Sequence, residues 1–326
     1  MGEIIRETAF DNVGEIKKML LQEKMSRESW MTRNGHSAAL RRAMSYFSPE
    51  DALNQKLNGV DYYFYIKELA DAIGADKANE IGNSLKAAVN KSNVTYSVTG
   101  DEGICELTAA SFDCLKLEEG ESYKGFIEPV CEGKNEGFMV PTDVAYVAKA
   151  ASCNKAIGSM FVLSHIMTYD YLWNTIRAKG GAYGTGFTVN LLGDVGMYSY
   201  RDPNLKDTVT AFDEAYKYIE EFEADHREMT KYIVGAVAAT DRPKSPYVKS
   251  MRADGDYFNA ISAELRDRVR GEMLTTTPED IRKAADIIKA LMDENNLCVF
   301  SSKSRIEKNA DLFENTVTIK YQKRGN

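Results

Sequence analysis

The chain has 326 residues, of which 44% are hydrophobic and 28% charged, and its formal net charge is -8. This length favours two folded units, and the composition is that of an ordinary globular protein. Basic residues alternate with acidic ones along the predicted helices, which argues against a nucleic-acid partner. No uncharged apolar run is long enough to span a bilayer, and the N-terminus has no apolar core of signal-peptide length. We therefore expect a cytoplasmic protein without a membrane partner.

Helical periodicity dominates the first part of the chain. Helices are predicted over 10–33, 37–47, from Ser48 onwards, 62–73 and 77–90. The third of these begins at Ser48-Pro49-Glu50-Asp51, where Ser48 is the N-cap and Pro49 the first helical residue. The alternating, β-branched segment 93–99 predicts a strand.

A polar, glycine-containing segment over 116–137 is the predicted linker between a first unit, 1–115, and a second unit, 138–326. Strands that match those of the second unit are expected before residue 10 and are absent. The sequence therefore predicts that the chain begins in the middle of a domain.

The second unit mixes strands and helices. Its predicted strands are 143–149, 182–191, 195–200, 297–301 and 316–321, and its predicted helices are 155–177, 204–224, 227–239, 247–273, 278–295 and 305–313. The two strands 182–191 and 195–200 follow each other through a tight hairpin, which excludes a doubly wound parallel sheet. We predict an α+β fold with an antiparallel-rich sheet and helices on one face.

A metal site has little support in the sequence. A zinc peptidase needs two histidines on one helical turn plus an acid, but the three histidines, His36, His165 and His226, are far apart. The chain has five cysteines, an odd number, and no Cys-x-x-Cys motif, which argues against a disulfide framework or a structural zinc site. We therefore expect reduced, mostly buried thiols. No Gly-x-Ser-x-Gly nucleophile elbow occurs either.

The segment 171–186 carries the strongest candidate site. Arg177 lies on the last turn of a predicted helix, Gly180-Gly181 ends that helix, and Tyr183 lies on the strand that follows. A guanidinium and a phenol that point the same way form a donor pair for an oxyanion or a peptide carbonyl. The alternative is an ordinary tight turn in which Arg177 pairs with a surface acid and Tyr183 packs. Residue physics alone favours that alternative, since glycine-rich turns are common.

Three stretches carry a family resemblance: Leu-Trp-x-x-Ile-Arg-x-Lys-Gly-Gly-Ala-Tyr-Gly at 172–184, Ser-Tyr-Arg-Asp-Pro-Asn at 199–204, and Gly-Phe-Met-Val-Pro-Thr-x-Val-x-Tyr-Val at 137–147. They resemble the C-terminal domain of presequence proteases, which are zinc peptidases of the insulinase (pitrilysin) superfamily. Upstream, Gly35-His36-Ser37, Ala38-Ala39-Leu40 and Ser45-Tyr46-Phe47 are the stretches to compare with the preceding domain of that family. The resemblance implies the end of a third insulinase-type domain up to about residue 115 and a complete fourth domain over 138–326.

The resemblance also implies that the active site is built from two halves of the peptidase. Zinc and its glutamate base would lie in an N-terminal half that is missing here, and this chain would bind no metal. Arg177 and Tyr183 would reach the bound peptide and the tetrahedral intermediate, and Gly180, Gly181, Ala182 and Gly184 would line the peptide site.

The expected partners are that N-terminal half and unstructured peptides, and the chain alone is not expected to cleave. The alternative is a stand-alone, inactive subunit that binds peptides or serves as a scaffold. A fold without any site is a third possibility, and it leaves the matches at 171–204 unexplained.

Overall fold

The computed structural model describes residues 4, 7–122, 129–131 and 134–319. These residues form one six-stranded sheet with the order β3-β4-β2-β5-β1-β6. The strands are β1 (Glu136–Met139), β2 (Tyr146–Ser152), β3 (Gly184–Val189), β4 (Asp194–Tyr200), β5 (Leu297–Ser301) and β6 (Asn315–Thr318).

Helices make up most of the remaining chain. The α-helices are α1 (Val13–Arg33), α2 (Gly35–Met44), α3 (Pro49–Asn58), α4 (Val60–Ala72), α5 (Ala75–Ala88), α6 (Glu102–Ser111), α7 (Gly158–Ile166), α8 (Leu205–Asp213), α9 (Ala215–Glu220), α10 (His226–Thr240), α11 (Pro246–Phe258), α12 (Ala263–Leu274), α13 (Pro278–Asp293) and α14 (Lys303–Lys308). Short 3₁₀ turns cover Phe112–Leu115 and Ala310–Leu312, and a π-helix covers Met167–Lys179. No helix of the described chain combines the length and apolar character needed to cross a membrane.

The predicted α+β class is confirmed. β1 runs parallel to β5 and β6, whereas the β2–β4, β2–β5 and β3–β4 pairs are antiparallel. Helices were predicted on one face of the sheet, where α8 and α13 do pack against β2. Helix α2 lies on the other face, and it comes so close that a Cβ on Gly35 would lie 2.2 Å from the ring of Tyr146. Only a residue without a side chain fits there.

The chain divides into two compact units that are not continuous in sequence. Unit 1 consists of 1–24, 64–128 and 243–260, and unit 2 consists of 25–63, 129–242 and 261–326. A small helical core in unit 1 contains Leu69, Ile73 and Ala78. Unit 2 contains the sheet and a much larger core. The assignment of 1–115 and 138–326 to a third and a fourth family domain stays a prediction.

Two predicted helix starts are confirmed in atomic detail. The Ser48 hydroxyl accepts a hydrogen bond from Asp51 N at 3.2 Å, with Pro49 at the first helical position. At α13 the Thr277 hydroxyl accepts from Asp280 N at 3.2 Å, and the Asp280 carboxylate accepts from Thr277 N at 2.9 Å. This reciprocal pair satisfies two backbone donors that a helix N-terminus leaves free.

The predicted strand over 93–99 is wrong. Residues 94–99 have no regular secondary structure, and the Tyr96 ring stacks on Phe112 with centroids 4.0 Å apart. A β-branched segment forms a strand only where another strand can pair with it, and none of the strands in the described chain lies beside this one. Helix α6 follows directly and was not predicted.

Several predicted helices are subdivided. The predicted helix 247–273 is two helices, α11 and α12, separated around Ala260, which has a left-handed φ of 52°. The predicted helix 204–224 is interrupted at Glu214, and the predicted helix 305–313 ends in a 3₁₀ turn. Glu136 and Gly137, at the end of the predicted linker, belong to β1. Residues 123–128, 132 and 133 of that linker, and residues 320 and 321 of the last predicted strand, lie outside the described residues.

Candidate functional site

The turn between the π-helix and β3 reverses the chain within four residues, 180–183. Gly181 N donates to Arg177 O at 3.0 Å, and Ala182 N donates to Ile176 O at 3.1 Å. Gly181 has a φ of 79°, whereas a Cβ on Gly180 would lie 2.6 Å from Ile176 O. Each glycine is therefore required for its own reason, positive φ at Gly181 and close backbone approach at Gly180.

Arg177 and Tyr183 reach the same open cavity. This cavity of about 580 Å³ is lined by Trp173, Arg177, Ala178, Gly181, Ala182, Tyr183 and Arg201. Tyr183 is 67% exposed, so its phenol is not packed away. The Arg177 guanidinium carbon lies 3.8 Å from the ring centroid of Trp173. Both predicted residues thus line one cavity, and Arg177 stacks on an indole and forms no ion pair with an acid of the described residues.

The helix that carries Arg177 has an uncommon geometry. Residues Met167–Lys179 form a π-helix, a conformation that is rare and occurs frequently at functional sites. Trp173 and Arg177, four residues apart on this helix, both line the cavity. The predicted helix 155–177 therefore begins later, at Gly158, and changes its hydrogen-bonding pattern at Met167.

The segment 199–204 holds the glycine turn in place. Tyr183 N donates to Tyr200 O at 3.1 Å, and the two rings meet edge to face at 5.7 Å. The Asn204 side-chain amide donates to Gly180 O. The buried Asp202, just before α8, accepts from Asn204 N at 2.8 Å and from the Thr208 hydroxyl at 2.6 Å. The two sequence motifs therefore form one structural unit.

An aromatic cluster supports Tyr200 from behind. The His36 ring meets Tyr200 edge to face with centroids 4.6 Å apart, and Tyr146 lies 5.7 Å from Tyr200. Burial lowers the pKa of His36, and it raises the pKa of Tyr146 against the opposing influence of Arg201. The Nδ1 atom of His36 is buried and has no hydrogen-bond partner. The sequence gave His36 no role in the site, and Gly35-His36-Ser37 lies outside the three stretches that carry the resemblance.

Not every predicted peptide-site residue lines the cavity. Gly181 and Ala182 do, whereas Gly180 acts through the turn and Gly184 pairs with Tyr200 in the sheet. Three lining residues were missed, Trp173, Ala178 and Arg201, although all lie within the stretches that carry the resemblance. Trp173 precedes Arg177 by about one helical turn, which is a spacing signal that the sequence analysis did not use.

The residues present do not fit a zinc ion. Among the described residues, no group of three or more histidine, cysteine, aspartate or glutamate side chains is arranged to hold a metal. His36 is on α2, His165 is on α7, and His226 begins α10. A tetrahedral zinc site needs several such ligands together.

Two family models match the chain. The model described as the PreP C-terminal domain matches residues 135–303. The model for a region associated with peptidases of the M16 family, subfamily C, matches residues 1–69. The first match contains the whole cavity. The second contains His36 and the helix that carries it.

Curated relatives match nearly the whole chain. Protein HypA of Clostridium perfringens is 33% identical over 329 aligned residues, which cover 98% of this chain and 34% of the relative. Presequence protease 1, chloroplastic/mitochondrial, of Arabidopsis thaliana is 26% identical over 322 residues, which cover 94% of this chain and 29% of the relative. The chain spans about a third of the length of these relatives.

Solved structures share the fold at low identity. The crystal structure of pitrilysin matches with a TM-score of 0.60 and 14% identity, covering 91% of this chain and 32% of that chain. A peptidase M16 inactive domain from Pseudomonas fluorescens matches with a TM-score of 0.57 and 10% identity, covering 93% and 74%. These likenesses show a common fold.

Proposed function

The chain belongs to the PreP C-terminal domain family of insulinase-type (M16) peptidases, and on that premise we propose that it is the zinc-free half of a zinc metalloendopeptidase for unstructured peptides. In this proposal the zinc ion and the glutamate base belong to an N-terminal half. This chain supplies the opposite wall of the peptide site and does not cleave by itself. A cytoplasmic location stays a prediction.

The observation that carries the proposal is the meeting of Arg177 and Tyr183 at one open cavity. Both side chains are hydrogen-bond donors, and both are attached to a turn that the two glycines and Asn204 hold rigidly. Donors fixed in advance stabilise the negative charge that develops on a peptide carbonyl oxygen when it is attacked. We assign that role to the Arg177 guanidinium and the Tyr183 phenol.

The test reconstitutes the peptidase from this chain and the N-terminal half of the same protein, with a fluorogenic unstructured peptide as substrate. Arg177→Ala and Tyr183→Phe are each expected to lower kcat by about 10²–10³-fold, as loss of one oxyanion donor does. The matched control is Arg227→Ala, which removes an exposed arginine on α10. Unchanged turnover in both site variants would exclude the assigned role.

A stand-alone peptide-binding subunit is the second candidate. The cavity favours it because every lining residue belongs to unit 2, so the cavity exists without any other chain. Calorimetry with an extended peptide separates the two functions. Binding by the isolated chain, together with no gain of turnover when the N-terminal half is added, would replace the first proposal by this one.

A further inference from the structure

The charge of the cavity is unusual for this protein. Two of its seven lining residues, Arg177 and Arg201, are cationic and none is acidic, although the chain as a whole has a net charge of -8. Within the described ranges, no carboxylate lies within 4.0 Å of either guanidinium, and the Arg201 guanidinium hydrogen-bonds to the Tyr146 phenol. Two arginines that share an open cavity without a counter-ion attract an anionic group from elsewhere.

We propose that this cavity binds a carboxylate of the peptide, and that Arg201 is the residue that selects it. The inference rests on the proposed function, because it takes the cavity to face the substrate. Arg177 and Tyr183 retain their role at the reacting carbonyl. Arg201 acts on a different group of the same peptide and so determines which peptides bind.

The backbone at Arg201 is held in a strained conformation. Its φ is 50°, a left-handed value that non-glycine residues rarely adopt. Tyr183 N donates to Arg201 O at 3.3 Å. The next residue, Asp202, is fixed to Ala145 by two backbone hydrogen bonds of 2.7 and 2.8 Å. These contacts fix the backbone from which the exposed Arg201 side chain reaches both the cavity wall and the Tyr146 phenol.

The stacking of Arg177 leaves its donors available. The N–H groups of a guanidinium lie in its plane, so a guanidinium that stacks on the Trp173 indole keeps them free for an anion. The Arg201 guanidinium carbon similarly lies 5.5 Å from the ring centroid of Tyr200. Arginine forks match carboxylates in a bidentate geometry, which makes this group the best fit among peptide anions.

A peptide offers carboxylates from two sources, its C-terminus and the side chains of aspartate and glutamate. The experiment therefore uses one fluorescent, unstructured peptide in four versions: with a free or an amidated C-terminus, and with glutamate or glutamine at one internal position. Fluorescence anisotropy measures the Kd of each version for the wild-type chain, Arg201→Gln and Arg227→Gln. The last variant removes the same charge from an exposed site on α10, outside the cavity.

We expect wild type to bind the version with the recognised carboxylate about tenfold more tightly than its neutral counterpart, as for a charge-assisted hydrogen bond. In Arg201→Gln this preference should fall below about threefold, whereas in Arg227→Gln it should persist. Such a result would assign the preference to the interaction between Arg201 and the peptide carboxylate. A preference for the free C-terminus identifies the terminal carboxylate, and a preference for glutamate identifies a side chain.

Three results would overturn the inference: equal affinity of wild type for all four peptides, binding of none of them, or a preference that survives in Arg201→Gln. The outcome is separable from that of the proposed function. If Tyr183→Phe abolishes turnover but no carboxylate preference exists, only the present inference is lost. If the preference exists while Arg177→Ala and Tyr183→Phe cleave normally, only the oxyanion role is lost.

Discussion

Unit 2 contains two arginine sites with opposite properties. At one site, Arg42 donates to the Glu136 carboxylate at 2.6 and 3.2 Å and to the Asp61 carboxylate at 3.0 and 3.2 Å. The Arg42 side chain is 12% exposed and that of Glu136 6%. At the other site, Arg177 and Arg201 line an open cavity that contains no acid.

The comparison shows how surroundings decide what an arginine does. Burial lowers the pKa of Arg42, but hydrogen bonding and attraction to Glu136 outweigh it, so the net shift is upward. All three nitrogens of this guanidinium donate to carboxylates within the fold. At the cavity, the Trp173 ring covers one guanidinium face of Arg177, the Arg201 guanidinium carbon lies 5.5 Å from the Tyr200 ring centroid, and no carboxylate of the described chain lies within ion-pair distance of either arginine. The first site fixes α2 to β1, whereas the second is available to a ligand.

The largest expected effect comes from breaking the buried pair. Arg42→Met should lower the free energy of unfolding by about 3–5 kcal/mol, because the buried Glu136 carboxylate loses its cation. Urea unfolding monitored by circular dichroism measures the change.

The matched control is Arg177→Met, which removes the same group from the cavity. It should change the unfolding free energy by less than about 1 kcal/mol, the size of an exposed cation–π contact. Similar losses in the two variants would show that Arg177 is as structural as Arg42, and the distinction between the sites would fail.

An intermediate effect is expected at the glycine turn. Gly181→Ala forces a side chain into a left-handed conformation with φ of 79°, which should lower the unfolding free energy by about 1–2 kcal/mol. It should also displace Tyr183 and so reduce peptide turnover in the reconstituted enzyme. Thermal and urea unfolding give the first effect, and the fluorogenic assay gives the second.

Gly184→Ala is the companion variant, a short way further along the chain. A Cβ there would meet Tyr200 at an ordinary 3.7 Å, and the residue has no positive φ. The change should be neutral or slightly stabilising, since alanine reduces the freedom of the unfolded chain. If Gly181→Ala behaved the same way, the turn would tolerate any residue and would not fix the direction of Tyr183.

Local signals explain most of what could be predicted of the fold. The capping residues Ser48 and Thr277 start helices through contacts with their own neighbours, so their sequence pattern is sufficient. Where the outcome depends on distant partners, the pattern fails. The alternating segment 93–99 has no pairing strand within the described chain, and the break at Ala260 interrupts a sequence whose helical periodicity runs on.

In the candidate site, too, the features set by neighbouring residues could be predicted and those set by distant elements could not. Arg177 and Tyr183 could be proposed from sequence because two adjacent glycines between them predict a sharp reversal. Trp173 precedes Arg177 by about one helical turn, which places it beside the arginine, but only the structure shows the stacking. Arg201 directly follows β4, which the predicted hairpin pairs with β3, so its position beside Tyr183 follows from a local pattern. His36 reaches this region through α2, which is far away in sequence, and no local pattern could place it there.

The smallest expected effect concerns His36. Arg42 has carboxylates that compensate its charge, whereas a protonated His36 would have none. Burial lowers the pKa of His36 from its ordinary value of 6.5, and its buried Nδ1 has no acceptor for a proton. As pH falls through 6.5, the unfolded chain gains a proton that the folded chain resists. The unfolding free energy should therefore decrease in the window between 6.5 and the lower folded-state pKa.

His36→Phe keeps a ring against Tyr200 and removes this proton uptake, so its unfolding free energy should vary less with pH below 6.5 than that of wild type. Burial also lowers the pKa of His165, against an opposing attraction from Asp170, and this contribution is common to both proteins. The difference between the two pH profiles therefore isolates His36. Identical profiles would mean that the folded chain accommodates a protonated His36. The aromatic cluster around Tyr200 would then tolerate a positive charge, as the arginine cavity does.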